Sequence, residues 1–314
     1  MQGDAHNLPQ ISLRQLEAGI GHDRLAEACA TWGFFELKDH GISSHVLNTT
    51  LDTMARFFDL PVATKRAIER TKDNPWGFYD RELTKNVKDH KEIFDVGPAV
   101  GLYVPQWPTH EPQFKVDIQR FYDGAESIAL RLIAHIATTL DTPPEALLSG
   151  FERHTSFLRL NYYPTCDNPA PADSPTVPLY GELGISHHSD AGAVTVLLQD
   201  GNTGLQVERD GKWLSVAAER GGLIINLGDV VQVWSNDRYR APLHRVLASS
   251  DHSRLSAPFF LNPSFETDYA PLPSVSQLTP PRYRPINWGA FRTGRADGDY
   301  ANYGEEIQIA HFRI

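Results

Sequence analysis

Cysteine and positive charge are both scarce in this 314-residue chain, which has two cysteines, Cys29 and Cys166. Two cysteines cannot build the multiple cross-links of a small secreted scaffold, so we expect free thiols and a reducing, cytoplasmic location. The formal net charge is −10, from 29 Lys and Arg against 39 Asp and Glu. Such a chain suits neither nucleic acid phosphates nor an anionic membrane surface, so we expect neither as a partner.

Long apolar runs are also lacking. No run approaches the length of a membrane-spanning helix, and the first residues do not show the basic and apolar segments of a signal peptide. Core-forming residues are nevertheless plentiful, since 41% of the chain is hydrophobic. The composition therefore indicates a chain with a sizeable core, arranged as one large domain or two.

The most informative motif is His188-Ser189-Asp190, followed much later by His244. Strand side chains alternate between faces, so His188 and Asp190 point the same way if this segment is a strand. A histidine from a distant strand can complete a three-point face. Two imidazoles and one carboxylate form the site of non-haem Fe(II) oxygenases, which keeps positions open for O2 and an organic co-substrate. We predict that His188, Asp190 and His244 bind iron and form the catalytic centre.

A second spaced pair, Arg254 and Ser256, lies ten residues beyond His244. The same alternation directs both side chains to one face. A guanidinium fork beside a hydroxyl suits a carboxylate. The pattern predicts an anchor for an acidic small molecule close to the metal.

With these motifs the sequence resembles the 2-oxoglutarate/Fe(II)-dependent dioxygenase superfamily, in the branch with isopenicillin N synthase, flavonoid oxygenases and gibberellin oxidases. The resemblance covers residues 8 to about 70 and about 157 to 265. Its motifs include Trp32-Gly33-Phe34-Phe35, His40-Gly41-Ile42, Asn161-Tyr162-Tyr163-Pro164, Asn226-Leu227-Gly228-Asp229 and His244-Arg245-Val246.

The resemblance implies Fe(II) as cofactor, 2-oxoglutarate and O2 as co-substrates, and ascorbate as a candidate reductant. It implies that Arg254 and Ser256 hold the far carboxylate of 2-oxoglutarate, with Asn161 and Tyr163 as further contacts. The reaction would release succinate and CO2 and oxidise a small-molecule metabolite. Hydroxylation, desaturation and ring closure all remain open, as do the substrate and the oligomeric state.

Three further residues are candidates for substrate contact. Arg159 shares a strand face with Asn161 and Tyr163, and Phe260 and Asn262 continue the face of Ser256. Related enzymes place residues at such positions near the substrate. A salt bridge for Arg159 and simple core packing for Phe260 are the alternatives.

The expected fold is a mostly β core with flanking helices, a double-stranded β-helix of the jelly-roll, cupin-like type. Short strands separated by turn signals indicate the two sheets. Apolar spacing predicts helices over 23–32, 43–58 and 114–140, whereas 74–113 reads as an ordered loop region. We expect one compact unit with four segments: an N-terminal region (1–113), a connecting helix (114–150), the jelly-roll core (151–270) and a C-terminal lid or extension (271–314).

Two other functions are compatible with parts of the sequence. An iron oxidase like isopenicillin N synthase or aminocyclopropanecarboxylate oxidase would share the metal face and the Arg-x-Ser pair without using 2-oxoglutarate. Asn161-Tyr162-Tyr163-Pro164 favours the 2-oxoglutarate users. A non-catalytic jelly-roll binding protein is a more remote alternative, because all three metal ligands are present.

Overall fold

A computed structural model describes residues 6–277, 279–296 and 307–314. The strands, numbered β1 to β16, are Gln10–Ser12, Phe34–Lys38, Gly77–Tyr79, Leu83–Thr84, Val87–Lys88, Glu92–Val96, Phe157–Tyr163, Leu183–His188, Val194–Gln199, Leu205–Arg209, Lys212–Ser215, Leu223–Leu227, His244–Leu247, Arg254–Leu261, Asp268–Tyr269 and Ile286–Asn287. The α-helices, α1 to α9, are Leu13–Glu17, His22–Thr31, Ser44–Phe58, Val62–Arg66, Pro112–Thr139, Pro144–Leu148, Asp229–Trp234, Pro273–Ser276 and Trp288–Ala296.

Two sheets form the core. The larger has eight strands in the order β1-β2-β12-β9-β14-β7-β6-β3, and the smaller has four in the order β11-β10-β13-β8. Apolar side chains from both sheets pack together between them, among them Phe34, Leu197, Ile224, Leu205 and Val246. This is the mostly β core that the sequence predicts.

The large sheet separates the helices from the interior between the sheets. Side chains along a strand alternate between the two faces of the sheet, and β14 shows this. Phe259 packs edge-on against Tyr122 of α5, with ring centroids 5.0 Å apart, whereas Phe260 faces the space between the sheets. The long helix α5 buries one stripe of residues against this outer face, including Phe114, Ile118 and Phe121.

The helix predictions over 23–32, 43–58 and 114–140 are confirmed by α2, α3 and α5. The prediction of an ordered loop over 74–113 is wrong in part. This segment contains four strands, and β6 pairs along its length with β7 in the large sheet. The two acidic residues of β6 suggested an exposed loop. In the structure buried cations neutralise them: Glu92 pairs with Lys65, and Asp95 pairs with Arg70 and Arg159.

The C-terminal segment adds α8, β16, α9 and a 3-10 turn at Ile309–Phe312. Residue 278 and residues 297–306 of the expected extension lie outside the described residues. Trp288 of α9 is fully buried and donates through its indole to Thr155 Oγ1, which fixes the start of this helix beside the core. Within the described residues, no helix combines the length and apolarity needed to cross a bilayer.

Candidate active site

His188 and His244 meet because their strands pair. His188 ends β8, His244 begins β13, and the two residues are direct cross-strand partners in the small sheet. Side chains of direct partners point to the same face, and here the ring centroids are 4.2 Å apart. The sequence alternation predicted a shared face for His188 and Asp190, and the register adds His244 to it.

Both imidazoles present the same nitrogen to the site. His188 Nδ1 lies 2.8 Å from the carbonyl of Ser186, and His244 Nδ1 lies 3.2 Å from the carbonyl of Pro242. A carbonyl only accepts, so each Nδ1 carries the proton and each Nε2 keeps its lone pair. Carbonyls play this orienting role for metal-binding histidines in general.

Asp190 completes the triad from the loop after β8. Its Oδ1 lies 3.7 Å from His188 Nε2 and 3.6 Å from His244 Nε2. Its Oδ2 accepts hydrogen bonds from Asn226 Nδ2, at 2.7 Å, and from Thr195 Oγ1. One carboxylate oxygen is therefore held by the protein, and the other faces the two imidazoles.

The protonation states suit a cation. Burial, followed by the neighbouring His244, lowers the pKa of His188 to about 3. Burial favours the neutral form of Asp190, but the two imidazoles and the hydrogen bonds from Asn226 and Thr195 outweigh it and lower the pKa of that carboxyl. Two imidazoles and one carboxylate are the donor set that fits Fe(II) with open positions.

Close backbone packing holds the loop that carries Asp190. The backbone N–H of Asp229 donates to the Asp190 carbonyl at 2.7 Å. A Cβ on Gly228 would lie 2.2 Å from the Gly192 carbonyl oxygen and 2.8 Å from that of Asp190. Only glycine fits there, which gives the Asn226-Leu227-Gly228-Asp229 motif a physical reason.

A buried cation lies on the facing sheet. Arg254 is only 3% exposed, and it donates to Ser256 Oγ at 3.2 Å and to Gln199 Oε1 at 3.1 Å. The register of β14 with β7 sets Arg254 opposite Tyr163 and Ser256 opposite Asn161. The guanidinium lies 5.2 Å from the centre of the Tyr163 ring. The four residues predicted to bind 2-oxoglutarate are thus adjacent.

Several polar atoms of this group lack a partner. Arg254 Nε, Asn161 Oδ1 and Gln199 Nε2 are buried without a hydrogen bond to any described residue. Buried polar groups are normally satisfied, so unmet donors and acceptors point to a missing ligand or water. A dicarboxylic acid would supply acceptors to Arg254 and Gln199.

The triad and the cation line one cavity of about 170 Å³. Phe260 lines its wall and stacks on Phe157 with ring centroids 4.8 Å apart. Asn262 and Trp288 also reach the cavity. Asn262 Nδ2 donates to the Thr155 carbonyl at 3.4 Å. The cavity wall therefore contains both aromatic rings and a side-chain amide.

Arg159 lines the same cavity but is held by two carboxylates. Its Nε and Nη2 donate to the two oxygens of Asp95 at 2.8 and 2.9 Å, and its Nη1 donates to Glu82 at 2.9 Å. Arg70 and Lys91 also pair with these acids. Arg159 therefore forms the salt bridges of the alternative interpretation, and it also lies in the cavity wall.

Comparison with known proteins identifies the family. Residues 154–263 match the family model described as 2OG-Fe(II) oxygenase superfamily, and residues 8–114 match "non-haem dioxygenase in morphine synthesis N-terminal". "2-oxoglutarate-dependent dioxygenase 11" of Oryza sativa subsp. japonica is 32% identical over 92% of this chain and 81% of its own length. The chain belongs to the 2OG-Fe(II) oxygenase superfamily.

Other relatives agree with this membership. "Jasmonate-induced oxygenase 2" of Arabidopsis thaliana is 31% identical over 92% of this chain and 79% of its own length. The crystal structure of JOX2 with 2OG, Fe and JA superposes with a TM-score of 0.81 at 30% identity, over 95% of this chain and 88% of that one. A full-length Neurospora crassa protein in complex with alpha-KG has 23% identity and a TM-score of 0.82, over 95% of this chain and 98% of its own, and supports the fold alone.

The chain is accordingly a 2-oxoglutarate-dependent non-haem iron dioxygenase with Fe(II) and 2-oxoglutarate as its cofactor and co-substrate. The expected jelly-roll fold is confirmed. The findings favour 2-oxoglutarate use over the isopenicillin N synthase-like alternative. They also disfavour a non-catalytic binding protein, since the described triad keeps all three donors.

Sequence reasoning missed several residues of the oxygenase site, among them Asn226, which donates to Asp190. Thr195 and Gln199, both on β9, hold Asp190 and Arg254 respectively. Each is a polar residue in an otherwise apolar strand, and that signal was available in the sequence. Their register partners on β14, Phe260 and Ser256, were both among the predicted site residues.

Proposed function

We propose that His188, Asp190 and His244 hold the Fe(II) of this dioxygenase. The observation that carries the proposal is the convergence of two lone-pair nitrogens on one free carboxylate oxygen, in a cavity shared with a buried arginine. Thr195 and Asn226 keep Asp190 oriented, so its Oδ1 stays directed at the metal position.

We further propose that Arg254 and Ser256 bind the far carboxylate of 2-oxoglutarate, with Asn161 and Tyr163 as additional contacts. Gln199 orients Arg254 by accepting one of its N–H groups, and its own amide nitrogen is left to donate to the ligand. Burial makes a charge-assisted pair here strong, because few waters compete for the guanidinium.

The bound iron supplies the activation of O2, which couples decarboxylation of 2-oxoglutarate to oxidation of a second molecule. The residues of the chain position the reactants. Arg254 would fix the far end of the co-substrate, the triad would hold the iron, and the aromatic wall would exclude water from the cavity. Holding reactants in a fixed geometry is itself a large part of catalysis.

The proposed substrate is a small metabolite with an apolar or aromatic body. Phe260 and its stacked partner Phe157 offer a flat apolar surface, and Asn262 offers an amide for one hydrogen bond. Arg159 borders the substrate as a cation already paired with Asp95 and Glu82. Pockets of this composition recognise ligands mainly by shape, with a few polar groups that fix orientation.

The decisive experiment measures succinate release from 2-oxoglutarate by the Fe(II)-loaded protein in air, with and without candidate metabolites. We expect slow basal release and a strong increase with the true substrate. Product mass then separates oxygen insertion from loss of hydrogen. Iron binding without any succinate, even across a broad metabolite panel, would overturn the proposal in favour of an oxidase that does not use 2-oxoglutarate.

We also propose that segments 1–113, 114–150, 151–270 and 271–314 fold as one unit, because strands of the first segment complete the large sheet. A cytoplasmic location stays a prediction. Its support is the pair of free cysteines, Cys29 and Cys166, which are both buried.

A further inference from the structure

A second group of metal-binding side chains lies outside the cavity. The three residues come from separate segments. His90 lies in the loop between β5 and β6, Cys166 lies in the loop after β7, and Glu182 directly precedes β8. Their donor atoms all lie within 4.8 Å of one another. The proposed function uses none of the three.

Two distances within the group are close to those between ligands of one ion. Glu182 Oε2 lies 3.0 Å from His90 Nδ1 and 3.4 Å from Cys166 Sγ. Tetrahedral ligands at the usual zinc bond lengths lie roughly 3.3–3.6 Å from each other. The two measured distances are near these values and all three donor atoms lie within 4.8 Å of one another, so an ion between them requires His90 and Glu182 to separate slightly.

The orientation of His90 is the second observation. His90 Nε2 lies 3.1 Å from the carbonyl oxygen of Thr165, which can only accept. The ring proton of neutral His90 is then on Nε2, and its Nδ1 directs a lone pair at the Glu182 carboxylate. Two lone pairs at that distance need a proton or a cation between them. Histidine ligands of metals are oriented by carbonyls in this way.

Backbone hydrogen bonds hold the three segments together. The N–H of His90 donates to the carbonyl of Leu183, that of Glu182 to Asn168, and that of Cys166 to Ser249, at 3.0, 2.8 and 2.8 Å. The site is therefore built by the fold and is not a chance meeting of mobile side chains. Cys166 is 2% exposed, while the side chains of His90 and Glu182 are 26% and 57% exposed, so solvent reaches the position.

We propose that His90, Cys166 and Glu182 bind a divalent cation of the zinc class, with water as a fourth ligand. A thiolate with an imidazole selects Zn(II) or Co(II) over the harder ions that oxygen ligands take. The site differs chemically from the His188, Asp190 and His244 site, which has no sulfur. It lies at the start of β8, the strand whose last residue is His188.

The test uses Co(II) with the metal-free full-length protein. A cobalt–thiolate bond gives a charge-transfer absorption in the near ultraviolet, and the His188 site cannot produce it. We expect two bound Co(II) per chain and one thiolate band. Asp190→Ala should lose one equivalent and keep the band. Zn(II) should displace Co(II) and thereby remove the band, since it is the preferred ion for such ligands.

Cysteine variants provide the matched control. Cys166→Ser should abolish the band, and Cys29→Ser should retain it, because Cys29 is buried in the helical core away from the group. Glu182→Gln changes an exposed side chain and should leave folding intact. It should weaken Co(II) at this site by at least the roughly 10–100-fold that loss of a second-shell partner costs elsewhere. No thiolate band in the wild type, its survival in Cys166→Ser, or unchanged affinity in Glu182→Gln would overturn the proposal.

Discussion

Two polar clusters share the cavity of this dioxygenase, and they differ in what they leave unpaired. The ion cluster consists of Arg70, Glu82, Asp89, Lys91, Asp95 and Arg159, and each of its carboxylates is paired with a cation at 2.6–2.9 Å. In the site cluster, the Nε2 atoms of His188 and His244 lie 3.7 and 3.6 Å from Asp190 Oδ1, which is too far for a hydrogen bond and leaves space for a cation.

The difference separates binding from support. Both clusters are buried, and both join distant parts of the chain. A charge that is already neutralised by its neighbours gains little from a ligand, whereas a buried group with unmet capacity gains much. Residual hydrogen-bonding capacity is therefore a better guide to the ligand positions here than charge or burial alone.

The largest effect should follow from Asp190→Ala. Loss of the carboxylate leaves two imidazoles and less charge compensation for Fe(II), and metal affinity depends on the number and type of ligands. We expect turnover below detection with an unchanged circular dichroism spectrum. Asp251→Ala, an exposed loop aspartate, is the control. Succinate release at the wild-type rate by Asp190→Ala would remove the iron assignment.

Within the ion cluster, Arg159→Met should act on stability. Asp95 keeps Arg70, and Glu82 keeps Arg70 and Lys91, but both lose one buried cation and its hydrogen bonds. The cost should therefore lie at or below the roughly 3–5 kcal/mol of breaking an isolated buried pair. Urea denaturation of the metal-free protein measures the loss. If stability falls by less than about 1 kcal/mol while the KM for the primary substrate rises roughly tenfold, Arg159 is a substrate anchor and the distinction between the clusters fails.

Arg254→Ala should act on 2-oxoglutarate. Loss of one partner of a buried, charge-assisted pair costs on the order of 2–5 kcal/mol, so the apparent KM for 2-oxoglutarate should rise roughly 30-fold or more. Iron binding should be nearly unchanged. Arg209→Ala, on the small sheet and stacked over Trp32, is the control. A rise under about threefold would contradict the assignment.

A third polar group, around Asp237, tests ion pairing outside the cavity lining. Burial opposes ionisation of Asp237, but hydrogen bonds from Arg313, Tyr283 and Arg282 outweigh it and lower its pKa to about 2, from an ordinary 3.8. The resulting stabilisation is complete above pH 3.8 and is lost as the pH falls through 2.

Asp237→Asn should therefore destabilise the protein by roughly 1–2 kcal/mol at neutral pH, since each pKa unit is worth about 1.4 kcal/mol and solvent around the two arginines screens part of it. The gap between the variant and the wild type should close as the pH falls below about 4, near the unfolded pKa of aspartate. Thermal melts across this range measure it. A gap that is constant with pH would assign the loss to packing instead of ionisation.

The smallest effect should come from Phe260→Ala. An aromatic contact adds about 0.5–1.5 kcal/mol, so the substrate KM should rise roughly two- to tenfold. A loosely held substrate should also be oxidised less often for each 2-oxoglutarate consumed, so the ratio of succinate to product should rise above one. If the ratio stays near one, the substrate lies elsewhere, against 74–113 or the segment around Trp288 and Phe291.

The sequence predicted the site where its geometry is local and missed it where the geometry is not. Strand alternation was enough to align Arg254 with Ser256. It also predicted the pair of His188 and Asp190, although Asp190 lies in the loop after β8 and not in the strand that the argument assumed. The position of His244 opposite His188 depended on strand register, which a pattern of single residues does not contain. Gln199 and Thr195 escaped notice because their roles exist only once β9 lies beside β14.

The strand β6 and the ion cluster show the other limit. Asp95 and Arg159 are cross-strand partners, but they are 64 positions apart in the sequence, and each charge alone argues for solvent exposure. Pairing reverses that interpretation, because each buried charge is acceptable only when its partner is present. Opposite charges in distant strand-like segments are visible in a sequence, yet their matching is a property of the folded sheet.

The order of strands in the large sheet has a consequence for how the chain is made. Phe34 of β2 pairs with Asn226 of β12, and β6 pairs with β7, which follows the long helix α5. During synthesis the early strands leave the ribosome well before their neighbours exist. Non-local pairing of this kind is slow and leaves strand edges open meanwhile. A stalled or truncated product, in which β2 lacks β12 and β6 lacks β7, should therefore be prone to aggregate.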